Sequence, residues 1–320
     1  AVIFDEASQI KPQDAISSLI RADQAIVVGD SKQLPPTSFF EAEIESFEDT
    51  RQDLESILDE TSAVLPNEKL LWHYRSRSEE LIKFSNRQYY NNRLITFPDN
   101  KVEQEAVEFK YVSNGVYDRG NSRKNIPEAN KVADIVENLL DDRSNKTIGV
   151  VAFSSSQEEA IQDELEKRRK ENPTLDAFMN KDDALEDFFV KRLEVVQGDE
   201  RDIMIFSVGY GPDQAGKVSM NFGPLNKSGG ERRLNVAITR AKEKVIVVSS
   251  LRPEDIDLSR TQSVGVEHFK KYMKFARDGE RVLTRDDSFT ETLDFDSSFE
   301  ESVYDALTDK GFKVETQVKS

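Results

Sequence analysis

The 320-residue chain contains no cysteine and only two histidines, His73 and His268. Disulfides, thiolate metal sites and cysteine nucleophiles are therefore excluded. Two imidazoles are also too few for a histidine-rich metal centre or a relay of several histidines. No stretch approaches the roughly 20 apolar residues of a membrane span. No basic-then-apolar export signal opens the chain. These absences point to a cytoplasmic protein with no membrane partner. Hydrophobic residues are scarce at 37% and charged residues abundant at 33%. The apolar segments are still long enough to build a core, which argues against wholesale disorder.

Net charge is −17, a balance that taken naively rejects nucleic acid as a partner. The acids are clumped, however. Residues 41–60 hold nine acids and one base, and residues 286–301 hold seven acids and no base. Such runs are ordinarily solvated faces or linkers. Without them the rest of the chain is nearly neutral, so a local basic groove survives the charge argument.

Val2-Ile3-Phe4 reads as a short buried strand ending in Asp5 and Glu6. Lys11–Ala22 carries apolar residues at helical spacing, and Ala25–Val28 is a second buried strand ending at Gly29-Asp30. A further amphipathic helix is predicted at about Asp53–Glu60. Strand, helix, strand without hairpin turns is the signature of a parallel α/β sheet. A second such unit starts near Lys69. Its predicted strands are Leu70–His73, Thr147–Phe153, Glu194–Val196, Ile203–Val208 and Val245–Ser249. Its predicted helices are Glu79–Gln88, Glu128–Leu140, Gln157–Lys170 and Glu231–Ala241, with Leu81, Ile82, Phe84 and Ser85 inward on the first. Residues 254–296 read as a connector with one amphipathic helix, Val266–Ala276.

Paired carboxylates at a strand end suit a nucleotide-hydrolysing site, where the Asp holds Mg²⁺ and the Glu handles the attacking water. Taken alone, Asp5-Glu6 is more often an ordinary strand end. The balance shifts with Gly29-Asp30-Ser31-Lys32-Gln33-Leu34-Pro35-Pro36-Thr37, one helix and one strand later. Here a rigid proline loop sets a side-chain amide, Gln33, beside the first carboxylates.

Asp5-Glu6-Ala7-Ser8 followed by Gly29-Asp30-Ser31-Lys32-Gln33-Leu34-Pro35-Pro36-Thr37 resembles motifs II and III of superfamily 1 helicases, in the Asp-Glu-Ala branch. Further matches follow in order. Tyr74-Arg75-Ser76 resembles motif IV, supported by the following helix with Tyr89-Tyr90. Val151–Gln157 resembles the strand-to-helix turn that meets nucleic acid. Gln197-Gly198-Asp199-Glu200 resembles motif V, and Leu234–Lys242 resembles motif VI. The match spans roughly residues 1–252.

That resemblance implies an α/β, RecA-like P-loop NTPase fold: a complete second RecA-like domain at 69–253 and a partial first one at 1–68. It implies ATP and Mg²⁺ as cofactors, with Asp5 at the metal, Glu6 and Gln33 in hydrolysis, and Arg75 and Arg240 as arginines reaching the γ-phosphate. Asp30, Gln197, Gly198 and Glu200 would line the nucleotide, while Asp199 and Asp202 could equally be caps. Thr37, Ser154, Ser155, Ser156 and Gln157 would grip single-stranded nucleic acid, DNA in preference to RNA. A serine run before a helix is also a normal N-cap. Trp72, Tyr74, Phe39 and Phe40 could stack on bases, though such residues more often pack in a core.

No Gly-x-x-x-x-Gly-Lys-Ser/Thr loop occurs in the chain, so it is expected to lack a phosphate cradle and to turn ATP over hardly at all by itself. Residues 297–320, with Ser298–Leu307 and Gly311–Val318, are similar to the opening helix and strand of Vsr-like and PD-(D/E)XK nuclease domains. Two functions are carried forward: an ATP-dependent DNA helicase or translocase, and a motor-derived clamp or scaffold that binds nucleic acid without unwinding. The partial first domain, with a hydrophobic edge exposed, is expected to be displaced or self-associated, with Asp5 and Glu6 away from Arg75 and Arg240.

Overall fold

In the computed structural model, residues 1–36, 56–97, 105–141, 146–180 and 187–283 are described. Residues 1–280 form one compact unit and residues 281–320 another. Of the second, only residues 281–283 are described, so the nuclease-like segment lies outside the described residues, as do Thr37, Phe39 and Phe40.

The larger sheet has five parallel strands. They are β3 (Val107–Tyr111), β4 (Ile148–Ala152), β5 (Phe189–Arg192), β6 (Arg201–Ser207) and β7 (Ala241–Ser249), in the order β3-β7-β6-β4-β5. The expected α/β class with a complete parallel-sheet domain is therefore present. β4 is an unbroken buried run, the pattern of a central strand covered on both faces. Alternate residues divide the two layers. Ile148, Val150, Ile203, Ile205, Ile246 and Val248 pack into one core with α4 (Ile126–Asp141), α5 (Ser155–Arg169) and α6 (Pro173–Met179). The opposite layer is built on α3 (Glu79–Tyr89), α7 (Gly230–Ile238) and α8 (Val264–Asp278). An aromatic cluster joins that layer to the sheet: Phe153 lies 5.2 Å and Phe222 5.8 Å from Phe269, and Phe84 lies 5.1 Å from Tyr272.

Four differences separate the expected strands from the observed ones, the first being β5, which was not expected. β3 escaped the pattern because Val107-Glu108-Phe109-Lys110-Tyr111 is an edge strand, with polar residues where a central strand would be apolar. The strand expected at Glu194–Val196 is instead the turn after β5; the buried Leu193 and Val196 mimic a strand but flank exposed residues. Leu70–His73 makes only a single bridge, Trp72 to Ile95, and leaves Trp72 and Tyr74 exposed rather than in a core. By contrast Leu81, Ile82, Phe84 and Ser85 are buried on α3 as their spacing implies.

A separate two-stranded parallel sheet pairs β1 (Val2–Phe4) with β2 (Ala25–Val27), in the register Ile3 to Ile26. The intervening α1 (Pro12–Leu19) and the later α2 (Ile57–Ser62), closed by a Ser56–Asp59 capping box, cover one side. Phe4, Ala7, Ala15 and Ile57 form its small core. Ile3, Ile16, Ile20 and Ile26 remain exposed. No helix among the described residues is long and apolar enough to cross a membrane.

Candidate functional site

Asp5 and Glu6 stand just past β1. Glu6 holds the left-handed backbone conformation, φ 51° and ψ 38°, which is uncommon for a residue with a side chain. Asp5 Oδ1 accepts the Glu6 amide at 2.9 Å, and Ala7 donates its amide to the Val28 carbonyl at 2.9 Å. The loop after β2 therefore runs directly beside them. Gly29 permits that approach, because a Cβ there would lie 3.0 Å from the Ser8 nitrogen and 3.1 Å from that of Ala7.

In this second loop Asp30 is the organiser. Its Oδ1 accepts the Lys32 amide at 2.8 Å, and its Oδ2 accepts Gln33 Nε2 at 3.0 Å. Gln33 Oε1 is buried with no hydrogen-bond partner among the described residues. Two residues of the other half reach the same loop. Tyr90 donates its hydroxyl to Asp30 Oδ2 at 2.6 Å, and Asn235 Nδ2 donates to the Lys32 carbonyl at 3.0 Å.

Arg75 and Glu200 pair at 2.8 Å, and Lys242 approaches the other oxygen of Glu200 at 3.2 Å. These cations hold the Glu200 carboxyl below its ordinary range, against the desolvation that pushes it up. Gln197 Nε2 donates to Glu6 Oε2 at 3.4 Å, while Gln197 Oε1 is buried with no partner among the described residues. Gly198 turns the chain there at φ 88°. The expected separation of the first piece is therefore corrected. Glu6, Lys32 and Asp30 all touch the second half, because polar groups at the strand ends pair across the junction.

Arg240 is placed differently from the expected helix over Glu231–Ala241. α7 stops at Ile238, where the Thr239 hydroxyl turns back onto the Asn235 and Val236 carbonyls, and Ala241 already begins β7. Arg240 sits in this junction, 3% exposed. Its Nε donates to the Val236 carbonyl at 2.8 Å and its guanidinium contacts the Thr239 hydroxyl at 3.3 Å. Among the described residues no carboxylate pairs with it directly. Burial, and then the neighbouring Arg75, pull its pKa down to about 10, against the attraction of Glu6, Tyr90 and Glu200. A buried cation without an ion partner is costly, and the arrangement suits an incoming anion. His73 lies one step away, its pKa lowered to about 4 by burial and by Arg75, with its Nε2 accepting the Ser76 amide at 3.2 Å.

The predicted nucleic-acid turn begins α5. Ser154 is the N-cap, its Oγ accepting the Gln157 amide at 3.2 Å; Ser155 is exposed and Ser156 half-buried. Gln157 does not face solvent at all. Its Oε1 accepts the Asn125 amide at 2.9 Å, and its Nε2 donates to the Asn125 carbonyl and the Ser207 hydroxyl. The reading of Gln157 as a direct nucleic-acid contact is thus corrected: its amide joins α5 to the start of α4 and the end of β6. Beside it lies Glu128, wholly buried and unnoticed in the sequence. It accepts the Ser207 hydroxyl at 2.9 Å, the Gly209 amide at 2.6 Å and the Ser250 amide at 3.0 Å. Burial raises its pKa to about 7 despite these donors. Asp202 serves as a local tie, accepting both the amide and the hydroxyl of Thr147, and Asp199 pairs with Lys191 at 2.6 Å.

The missed residues divide in two. Tyr90 and Asn235 stood inside segments already matched to motifs, where their neighbours drew the attention. Glu128 carried no signal, being one acid in the first turn of an amphipathic helix.

A family model described as an AAA domain matches residues 54–252. An uncharacterized ATP-dependent helicase of Mycoplasma genitalium is 35% identical over 290 residues, covering 86% of this chain and 25% of that protein. An uncharacterized ATP-dependent helicase of Methanocaldococcus jannaschii is 27% identical over 271 residues, covering 78% of this chain and 35% of that protein. A solved PRRSV helicase structure overlaps 78% of this chain and 34% of its own at 14% identity and a TM-score of 0.35, a likeness too slight to bear on the site. The chain spans about a quarter of the length of the first curated relatives it matches.

Proposed function

The chain belongs to the AAA domain family, and from that premise we propose that it is the motor part of an ATP-dependent helicase or translocase of superfamily 1 type, acting on single-stranded DNA. The observation that carries the proposal is Arg240, a buried arginine with no directly paired carboxylate among the described residues, in the electrostatic reach of Glu6 and Arg75. Such a charge is retained where an anion completes it. The helicase names of the relatives support the same reading for the longer protein.

ATP as its Mg²⁺ complex would supply the phosphoanhydride whose hydrolysis drives movement. The donor set fits it. Asp5 is an exposed carboxylate at a strand end, and Mg²⁺ in such sites takes one or two carboxylates with waters and phosphate oxygens. Glu6 stands ready to take a proton from the attacking water. Gln33 and Gln197 each fix their amide nitrogen on a carboxylate, and the buried oxygen of each has no hydrogen-bond partner among the described residues. Arg75 and Arg240 supply positive charge at the developing phosphate charge. Ser154, Ser155 and Ser156, at the N-terminus of α5, offer hydroxyls and free amides to a strand's phosphates, and Thr37 keeps its proposed part in that grip.

The test is ATP turnover stimulated by single-stranded DNA in the full-length protein. Glu6→Gln, Arg75→Ala and Arg240→Ala should each lower it by about 10²-fold or more, with cooperative unfolding retained. The chain by itself, which has no phosphate-loop sequence, should show none. Turnover unaffected by both arginine changes would sink the assignment. Stimulation by RNA alone would change the substrate, and binding without any turnover would support the clamp instead.

A further inference from the structure

Four hydrogen bonds converge on the loop that carries Gln33, two of them from residues of the other half of the molecule, and a fifth joins those two residues to each other. Asp30 is the hub. It holds the Lys32 amide on Oδ1, and both Gln33 Nε2 and the Tyr90 hydroxyl on Oδ2. Asn235 Nδ2 reaches the Lys32 carbonyl at 3.0 Å and the Tyr90 hydroxyl oxygen at 3.0 Å. Tyr90 therefore both donates to Asp30 and accepts from Asn235, and the chain of bonds is closed. Asn235 is 0% exposed, in a position where a buried amide must be paired or costs free energy. Its Oδ1, like Gln33 Oε1, has no partner among the described residues.

The consequence lies in which end of Gln33 is free. An amide with one N–H fixed on a carboxylate has its plane, and so the direction of its oxygen, set by that bond. Asp30 fixes that nitrogen, and Tyr90 fixes Asp30 through a short, charge-assisted bond. Asn235 stands on α7, whose end leads within two residues into the junction that holds Arg240. The helix that carries the tie to the glutamine loop thus leads directly into the junction that holds the arginine.

We propose that Tyr90 and Asn235 are positioning residues that form an interlock, through which apposition of the two halves sets the orientation of Gln33. Parting the halves breaks Tyr90–Asp30 and Asn235–Lys32 together and releases the amide; bringing them together holds its nitrogen on Asp30 and its oxygen in a fixed, buried position. This rests on the helicase reading above but goes beyond it, since it gives both residues a part that acts through Gln33.

The test separates the two. In the full-length protein, Tyr90→Phe keeps the ring and removes the bond. It should lower ATP kcat about tenfold with KM for ATP changed less than about twofold, the split expected when orientation is lost and binding is not. The same change made in a Gln33→Ala background should cost less than about twofold, because the interlock acts only through Gln33. Full tenfold loss in both backgrounds would overturn the proposal. If the unmodified protein turned over no ATP, the helicase reading would fall, and the interlock would be decided on the chain itself. There the Lys32 and Gln33 amides should exchange with deuterium about tenfold faster in Tyr90→Phe and in Asn235→Ala. Unchanged exchange in both, with thermal unfolding intact, would end it.

Discussion

Arg75 and Glu200 form an ion pair at 2.8 Å, with Lys242 on the second oxygen of the same carboxylate at 3.2 Å. The pair joins the segment that follows the Trp72 bridge to the loop before β6. Both side chains are about a third exposed, so the interaction contributes little to stability. Its effect is on where Arg75 points. Glu200→Gln should therefore shift Tm by less than about 2 °C, while changing the full-length protein's KM for ATP by several-fold. A large Tm loss with unchanged KM would mean that the pair is structural.

Arg240 predicts an opposition between stability and function. Its guanidinium is buried with, among the described residues, only a carbonyl and a hydroxyl as hydrogen-bond partners. Replacing it with methionine removes the desolvated charge and keeps much of the volume. Denaturant unfolding of the chain should show Arg240→Met more stable by about 1–2 kcal/mol, although turnover of the full-length protein collapses. A variant less stable by that amount would show that the Val236 and Thr239 bonds outweigh the burial of charge.

The same residues show what a sequence discloses and what it withholds. β4, β6 and β7 were legible because central parallel strands are continuous apolar runs, and α3 because its inward residues recur at helical spacing. β3 was not, since an edge strand needs no such run. Asp5, Glu6, Gln33 and Arg75 could be named because motifs hold them at fixed places. Their convergence with Gln197 and Glu200 could not, since pairing across 191 or 125 residues leaves no local pattern. Gln157 shows the reverse error: a polar residue at a helix start looks like a ligand contact until its burial is known.

Residues beyond 253 are predicted to be part of the fold. α8 buries Val266, Phe269, Tyr272, Met273 and Phe275 against the aromatic layer. Phe269→Ala should cost about 3–5 kcal/mol in denaturant unfolding. A chain ending at 253 should lose its cooperative transition altogether, leaving Phe84, Phe153 and Phe222 without their partners. A normal transition in that shortened chain would show α8 to be an appendage.

Two groups, the buried Glu128 and the half-buried His73, act oppositely on the pH profile. The Glu128 carboxyl is raised from 4.5 to about 7. The fold then holds a proton that the unfolded chain has lost, and stability falls as pH rises from about 4.5 to about 7. The His73 imidazole is lowered from 6.5 to about 4. Its neutral form is kept by the fold, and stability falls as pH drops from about 6.5 to about 4. Between pH 5 and 6.5 the two slopes oppose each other. Glu128→Gln should therefore make stability climb more steeply with pH in that window, and His73→Asn should tilt it the other way. Parallel curves for both variants and the unmodified chain would show that neither group titrates there.

The start of α5 offers the sharpest separation of a binding role from a supporting one. Ser155 is exposed in the first turn, while Gln157, two residues on, is wholly buried and bonded to Asn125 and Ser207. A carboxylate at position 155 is favourable for a helix N-terminus, worth a few tenths to about 1 kcal/mol. It would repel a phosphate passing the same amides. Ser155→Asp should thus leave Tm unchanged or slightly higher, and weaken binding of a fluorescent single-stranded oligonucleotide several-fold at low salt, measured by anisotropy. Gln157→Ala should do the opposite first. It strips the Asn125 amide and carbonyl of their partner and should destabilise the chain by about 1–3 kcal/mol, with binding lost only as far as folding is lost. If Ser155→Asp bound as tightly as the unmodified chain, nucleic acid would have to pass elsewhere. If Gln157→Ala kept full stability and lost binding, the buried amide would be reaching the strand after all, and the correction drawn from its burial would be wrong.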